Sequence, residues 1–285
     1  MGRPNVGKST LINALMGQKI AAVSPRPQTT RRRQLGILTL EQSQIIFVDT
    51  PGIHEARHKL GESMNKQARE ALEESDLILF MVDASERLTD EDRILIDLLT
   101  TVDQEIPVIL AFNKIDQVSE NALEQNEREF LELLPDVKVI KISSTRGDNL
   151  DTLIDEIRSH LPEGEALYPE GQVTDLYERE IASDLIREAA LINLREEIPH
   201  GISVRIDEYT ERNEHGAFIA ATVFVERESH KPIVIGQSGA MLKKIGSAAR
   251  KEIEKMSGRK VFLQLKVKVR KNWRNDEKIL RWFGY

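Results

Sequence analysis

The chain has 285 residues, no cysteine, 40% hydrophobic residues and a formal net charge of −7. Such length and apolar content suit two ordinary cores. The lack of cysteine excludes a disulfide framework or a thiolate metal site, and no apolar run approaches the roughly 18 residues of a membrane span. Charge is uneven along the chain: from His200 onward there are 18 Lys+Arg against 10 Asp+Glu, and before it 22 against 37. An acidic front joined to a basic back suggests that the back half meets a polyanion, with a solvated charged surface as the alternative. No signal peptide is visible, which together with the absent cysteines fits a reducing cytoplasmic setting.

The chain begins Gly2-Arg3-Pro4-Asn5-Val6-Gly7-Lys8-Ser9-Thr10, which satisfies the G-x-x-x-x-G-K-[ST] pattern of a phosphate-binding loop opening a helix. The glycines let successive N–H groups turn inward as a nest for phosphate oxygens at the positive end of that helix. Lys8 adds a mobile positive charge, and the Ser9 hydroxyl can occupy one position on Mg²⁺. A loop of this kind normally follows a buried interior strand, yet only Met1 precedes Gly2. Removing that strand would expose the edges of its neighbours, so the sequence is expected to be truncated at its N-terminus.

A helix over 9–18 with Leu11, Ile12 and Leu15 on one face comes next. Residues 21–33 hold two prolines and the run Arg31-Arg32-Arg33, have no periodicity, and read as a flexible loop. An antiparallel pair is expected over 35–40 and 44–48. The second strand runs into Asp49-Thr50-Pro51-Gly52-Ile53, which puts a carboxylate at a strand end within reach of a magnesium shell. Residues 53–61 read as a second loop, followed by a helix over 62–74. His54 and His58 in that loop invite a metal reading, but without cysteine or a carboxylate pair they read as solvent-exposed loop histidines. Apolar runs at 76–82, 106–112 and 137–142 alternate with helical patterns at 89–102, 119–134 and 148–160, the order of parallel strands with crossover helices.

The strand over 106–112 ends in Asn113-Lys114-Ile115-Asp116. The Asp116 carboxylate can accept two hydrogen bonds from the N1–H and N2–H₂ edge of guanine, whereas adenine has an acceptor at N1 and no N2 amine. The nucleotide is therefore read as GTP, with Ser143-Ser144-Thr145 at the next strand end placed to brace the base. In a GTP-driven switch the loop over 21–33 supplies a threonine that closes onto Mg²⁺ and the γ-phosphate. Thr30 is expected in that role, with Thr29 as the alternative.

Two prolines and two glycines fall between Leu161 and Gly171. Domain boundaries are accordingly set at 1–163, a linker at 164–175, and 176–285. A helix is expected over 179–194, a turn at Glu197-Ile198-Pro199, and strands over 202–209 and 217–226 joined through 213–216. Gly236-Gln237-Ser238-Gly239 then opens a helix over 240–256 that carries Lys243 and Lys244 in its first turns, and a strand over 261–269 follows. Lys266, Lys268 and Arg270 alternate on one face of that strand, where they can track phosphates or simply solvate an edge. The tail is basic and holds Trp273 and Trp282, for which a core role competes with base stacking.

The set GRPNVGKST, QTTR, DTPGI and NKID, in this order and spacing, resembles the small GTPases of the Era group. The back half resembles a type II K-homology (KH) domain, whose Gly-x-x-Gly loop clamps about four single-stranded nucleotides. The resemblance covers essentially the whole chain. It implies an α/β P-loop NTPase domain of Ras-like type with a mostly parallel sheet, followed by an α+β type II KH domain. It further implies a monomeric GTP-hydrolysing switch that uses Mg²⁺ held through Ser9, Thr30 and Asp49. The expected RNA partner is the 3′ end of 16S rRNA, the expected role is maturation of the 30S subunit, and peripheral association with the inner membrane goes with it. RNA contacts are expected from Gly236, Gln237, Ser238, Gly239, Lys243, Lys244, Lys266, Lys268 and Arg270. Two departures stand out: the absent first strand, and Ser143-Ser144-Thr145 where Ser-Ala is usual.

Ras-like enzymes place a water-orienting glutamine just after the Asp-x-x-Gly glycine, here Gly52, but Ile53 has no donor or acceptor, so intrinsic hydrolysis is expected to be slow. Relatives with an asparagine at the position of Asn5 use K⁺ beside the phosphates, so Asn5 is expected either to help hold K⁺ or merely to cap the loop. Lys8, Thr30, Gly52 and Asn5 are the expected catalytic group. The rival readings are a GTP-sensing RNA-binding module with little hydrolysis, and a tRNA-modification GTPase, which leaves the loop from Gly236 to Gly239 unexplained.

Overall fold

The computed structural model describes residues 1–26, 28–53, 55–102, 105–213 and 216–285. Pro27, His54 and the tip of the 213–216 turn lie outside the described residues. The chain divides into two units, Met1–Gln18 with Thr30–Glu55 and Ser63–Asp175, and Lys19–Thr29 with Ala56–Glu62 and Leu176–Tyr285. The segments 19–29 and 56–62 thus belong by their contacts to the second unit, a division that a reading along the chain does not give.

In the first unit, α1 (Lys8–Met16) is followed by the hairpin β1 (Gln34–Leu40) and β2 (Ser43–Asp49), paired antiparallel with Gln34 opposite Asp49. After α2 (Lys59–Glu73) come β3 (Ile78–Asp83), α3 (Asp90–Leu99), β4 (Val108–Asn113), α4 (Glu120–Leu131), β5 (Lys138–Lys141) and α5 (Leu150–Ser159). The strands β3, β4 and β5 form a parallel sheet in that order. Both faces are buried, as crossover helices require. Phe80, Val82, Leu110 and Phe112 point to one core with Leu95 and Phe130, while Met81, Ile109 and Ala111 point to the other with Val6, Leu11, Leu153 and Ile157.

The β1–β2 hairpin is a separate sheet. Between β2 and β3 lies a cleft of about 1880 Å³, lined by Ile45 to Asp49 on one side and Leu77 to Leu79 on the other. Met1 occupies one end, its amino group bonded to Leu79 O at 2.6 Å and its carbonyl accepting from Met81 N at 3.0 Å.

The stretch expected to be a linker is fastened to this unit. Val173 O accepts from Ile37 N at 2.9 Å, Asp175 Oδ1 accepts from Leu35 N at 2.9 Å, and Tyr168 O accepts from Gln44 Nε2 at 2.9 Å. The first two satisfy backbone N–H groups of β1 that would otherwise stay open, and the third is a side-chain bond from β2.

The second unit packs α6 (Glu178–Asn193) and α8 (Ala240–Ser257) on one face of a three-stranded sheet, with β6 (Ser203–Asn213) antiparallel to β7 (Gly216–Val225) and β8 (Lys260–Val269) parallel to β7. The 3₁₀ turn Pro199–Gly201 falls where a turn is expected. Two short helices escaped the sequence reading, α7 (His230–Ile235) and α9 (Glu277–Phe283). They have six and seven residues, too few for a helical period to stand out. Trp273 is fully buried, with its indole N–H donating to Gly201 O at 2.9 Å, so the core reading holds for it. Trp282 is 46% exposed and lies under the Arg205 guanidinium at 4.1 Å.

Candidate functional site

The loop before α1 is shaped by positive φ angles at Gly2 (146°), Asn5 (66°) and Gly7 (107°). A side chain at Gly7 would run into the amide nitrogen of Asn113, so glycine there serves close approach as well as turning. Lys8 Nζ donates to the carbonyls of Gly2 at 2.7 Å and Arg3 at 2.9 Å, which holds the ammonium over the loop. Burial pulls Lys8 down to about 8, against the pull of Asp49, with Arg3 adding to the burial effect. A phosphate brought to the loop would favour the charged form. Arg3 itself reaches outward to Glu86 and, at 3.4 Å, to Asp92 at the start of α3.

Three residues from separate parts of the chain converge at the end of β2. Ser9 Oγ donates to Asp49 Oδ2 at 2.7 Å, Thr30 Oγ1 donates to the same oxygen at 3.2 Å, and the two hydroxyls are 3.0 Å apart. Asp49 is 1% exposed, and its other oxygen, Oδ1, is buried with no hydrogen-bond partner among the described residues. Burial pushes its carboxyl up, against the Ser9 hydrogen bond and the Lys8 charge. A buried acceptor with an open oxygen, flanked by two hydroxyls, fits a hard cation that prefers oxygen ligands. Of the two threonines, Thr30 is the one bonded to Asp49; Thr29 Oγ1 instead donates to Arg26 O at 2.8 Å and pairs with Ser24 Oγ at 2.9 Å.

The strand end of β4 brings the base-binding candidates together. Asn113 Nδ2 donates to Val6 O at 2.7 Å, and its Oδ1 accepts from Ser144 N and Ser144 Oγ, both at 2.9 Å. One amide therefore ties the phosphate loop to the loop after β5. Asp116 Oδ1 accepts from Ser143 Oγ at 2.6 Å, which lowers its carboxyl below the usual range, with Arg146 nearby adding to the effect. Both side chains of the Ser143-Ser144 pair are thus engaged, one with Asp116 and one with Asn113.

Sequence reasoning missed Asp83, whose carboxylate pairs with Lys114 Nζ and also accepts from Ser85 N at 3.0 Å. The signal was present: Asp83 ends its strand as Asp49 and Asn113 end theirs, and ligands in open α/β sheets bind beyond carboxyl ends of strands. Thr50, Pro51 and Gly52 follow Asp49 directly, with Gly52 against the Pro4 ring. Ile53 packs against the core that holds Phe80 and Phe112, which agrees with its having no polar role. The structure corrects the reading of His58: it is half-buried rather than exposed, with Nε2 2.9 Å from Arg274 Nη1, while His54 lies outside the described residues. No cluster of His, Cys, Asp and Glu able to hold a metal occurs among the described residues.

In the second unit, the 3₁₀ turn Gln237–Gly239 opens α8, with positive φ at Gly236 (73°), Ser238 (50°) and Gly239 (82°). A Cβ on Gly236 would lie 2.7 Å from Met241 N, so the loop stays thin here. Gln237, Ser238, Lys243 and Lys244 are exposed, and the first turn of α8 has no acidic residue, which leaves its positive end open to phosphate. Lys266, Lys268 and Arg270 are exposed along one face of β8, with Val267 buried between them. Lys266 Nζ lies 3.0 Å from Asp207 Oδ2, so one of the three cations is held in an ion pair.

The first unit is a P-loop GTPase domain, and the Gly-x-x-Gly turn on α8 sits in a second unit of KH type. Residues 1–114 match the 50S ribosome-binding GTPase family and residues 197–274 match the KH domain family. The chain is 47% identical over 285 residues to GTPase Era of Halothermothrix orenii, covering all of this chain and 96% of that one. It is 44% identical over 286 residues to GTPase Era of Geobacter metallireducens, with 100% and 95% covered. The chain belongs to the Era family and is a GTPase.

Two solved structures are similar throughout. A crystal structure of Era in complex with MgGDPNP and nucleotides 1506–1542 of 16S ribosomal RNA has a TM-score of 0.94 at 42% identity, covering all of this chain and 96% of that one. An Aquifex aeolicus Era variant bound to GDP and aluminium fluoride has a TM-score of 0.93 at 42% identity, with the same coverage.

Proposed function

We propose that this GTPase binds the 3′ end of 16S ribosomal RNA through the loop Gly236 to Gly239, the start of α8 and the basic face of β8, and that GTP sets the grip. In this role it assists maturation of the 30S subunit. The observation that carries the reading is the match over the entire chain to Era holding both MgGDPNP and nucleotides 1506–1542 of 16S rRNA. The exposed, thin Gly-x-x-Gly turn at the open end of a helix supplies the chemistry for single-stranded backbone.

Ser9, Thr30 and Asp49 would hold Mg²⁺, which when bound supplies charge stabilisation to the β- and γ-phosphates. Lys8 and the loop N–H groups hold and orient the triphosphate. Asp116 and Asn113, braced by Ser143 and Ser144, select guanine. Asn5 stands exposed in a left-handed conformation that asparagine tolerates, and this accounts for its backbone role. It is also the residue that would help hold K⁺ in place of a water-orienting side chain at Ile53. Equal GTPase rates in matched KCl and NaCl would remove the K⁺ assignment. No helix among the described residues is long and apolar enough to cross a membrane.

The test is crosslinking of the full chain to an RNA with the 16S 3′-end sequence in the presence of GTP analogue, GDP or no nucleotide. Crosslinks at Gly236 to Lys244 and along β8, changing with nucleotide, are expected. Crosslinks elsewhere, or the same pattern in all three states, would overturn the reading.

A further inference from the structure

In the second unit α6 and α8 pack on one face of the sheet, and the alternation of β8 sorts its side chains between the two faces. Val261, Leu263, Leu265 and Val267 turn to the helices, while Lys260, Phe262, Gln264, Lys266 and Lys268 are exposed on the opposite side. Phe262 is 66% exposed. Its register partner on β7 is Phe218, and the two rings lie 5.8 Å apart and within 16° of parallel. The guanidinium of Arg212, on β6, stands 5.1 Å from the centre of the Phe218 ring. A cation, a half-buried ring and an open ring thus form a row across three strands.

A single exposed apolar side chain needs no explanation, but a ring held parallel to a second ring in cationic surroundings does. The carboxylates of this face are engaged within it. Asp207 accepts from Arg205 and from Thr222 and pairs with Lys266, and Glu208 Oε1 accepts from Thr210 Oγ1 at 3.0 Å. The remaining charge, on Arg212, Lys260 and Lys268, is positive. A protein partner would call for an apolar core depleted in charge, and this face offers one open ring among lysines. Single-stranded RNA calls for a flat ring to meet a base and cations to follow the backbone.

The position of the ring is also informative. Helix α8 runs from the Gly-x-x-Gly turn to Ser257, and β8 returns from Lys260 to Val269, so Lys268 lies back toward the turn and Phe262 away from it. The two are about 20 Å apart at roughly 3.3 Å per residue. β8 is an edge strand, so a chain leaving the turn can round that edge onto the open face.

We propose that Phe262 is a base-stacking site for RNA that continues beyond the Gly-x-x-Gly turn, with Lys268 and Lys260 meeting its phosphates on the sheet face opposite the helices. The proposal rests on the RNA reading above, extends it to a second position on the same unit, and uses nothing from the nucleotide site.

The experiment measures affinities of the full chain, at fixed nucleotide and salt, for two RNAs of the 16S 3′-end sequence, one of about four nucleotides and one of about twelve. Phe262→Ala should weaken the longer RNA about tenfold and leave the shorter within about twofold. The salt dependence should not change, because a stack releases no counterions, whereas Lys268→Gln should lower it. Phe262→Tyr, which keeps the flat ring, should restore binding of the longer RNA. Equal affinity of the longer RNA for the wild-type chain and Phe262→Ala would overturn the proposal, and so would a dimer of the RNA-free chain that Phe262→Ala dissociates, since the ring would then serve a second copy. The underlying reading is tested separately by joint Gln237→Asp and Ser238→Asp substitution in the turn, which should abolish binding of both RNAs. If that variant fails to bind while Phe262→Ala is silent, the stacking site alone is wrong; if it binds both RNAs normally, the turn is not the RNA clamp.

Discussion

Replacing Asn113 with alanine should cost both stability and nucleotide affinity, and the structure sets the amount. Its side chain makes three hydrogen bonds at 2.7 to 2.9 Å, to Val6 O, Ser144 N and Ser144 Oγ. Each is worth about 1 kcal/mol net, and a buried group left without its partner adds about 1 to 3 kcal/mol. Val6 and Ser144 are buried, so water does not readily replace the amide. The expected loss in the first unit is about 4 to 6 kcal/mol, together with weakened binding of both GTP and GDP. Both tryptophans lie in the second unit, so their fluorescence serves as an internal control during urea unfolding. The far-UV circular dichroism transition of the first unit should move to lower urea while the tryptophan transition stays in place. A shift worth less than about 1 kcal/mol with unchanged nucleotide affinity would refute the view that this amide ties the two loops together. Gly7→Ala, whose added methyl would meet the same amide, should behave similarly.

Further outcomes follow from other groups. Asp116→Asn replaces an acceptor facing the guanine N1–H and N2–H₂ with an amide, so GTP affinity should fall on the order of 10²- to 10³-fold, with xanthosine triphosphate preferred in competition binding. Retained preference for GTP would remove Asp116 from base recognition. Asp207 gives a pH signature: burial alone would raise its carboxyl, but hydrogen bonds from Thr222, Arg205 and Lys266 outweigh it and hold it at about 2. A carboxyl lowered in the folded state stabilises above its unfolded value near 3.8 and loses that contribution as pH falls toward about 2. The stability gap between the wild-type chain and Asp207→Asn, about 1 kcal/mol after solvent screening, should therefore narrow in urea titrations between pH 5 and pH 3. A gap independent of pH would show that the cluster does not depend on the Asp207 charge.

Much of the first unit was legible because its motifs stand at strand ends, where apolar runs stop and polar residues begin. Asp49, Asn113 and Asp116 were found this way, and Asp83 could have been. The convergence of Ser9, Thr30 and Asp49 was legible only as chemistry, since 21 and 40 residues separate Thr30 and Asp49 from Ser9. That Thr30 rather than Thr29 meets Asp49 depends on hydrogen-bond partners that spacing does not encode. Assignment of 19–29 and 56–62 to the second unit was invisible for the same reason: Arg187, Glu188 and Arg274, which bond these segments, each read as ordinary surface charge in a helix or tail. The fastening of 164–175 along β1 was missed because prolines and glycines mark irregular backbone without saying whether an edge strand will capture it.

The most direct test measures affinity of the full chain for an RNA bearing the 3′ end of 16S rRNA, in Mg²⁺ at fixed salt, with GTP analogue and then with GDP. Tighter binding is expected with the analogue, and loss of that difference in Thr30→Ala. Equal affinity in the two nucleotide states would contradict it.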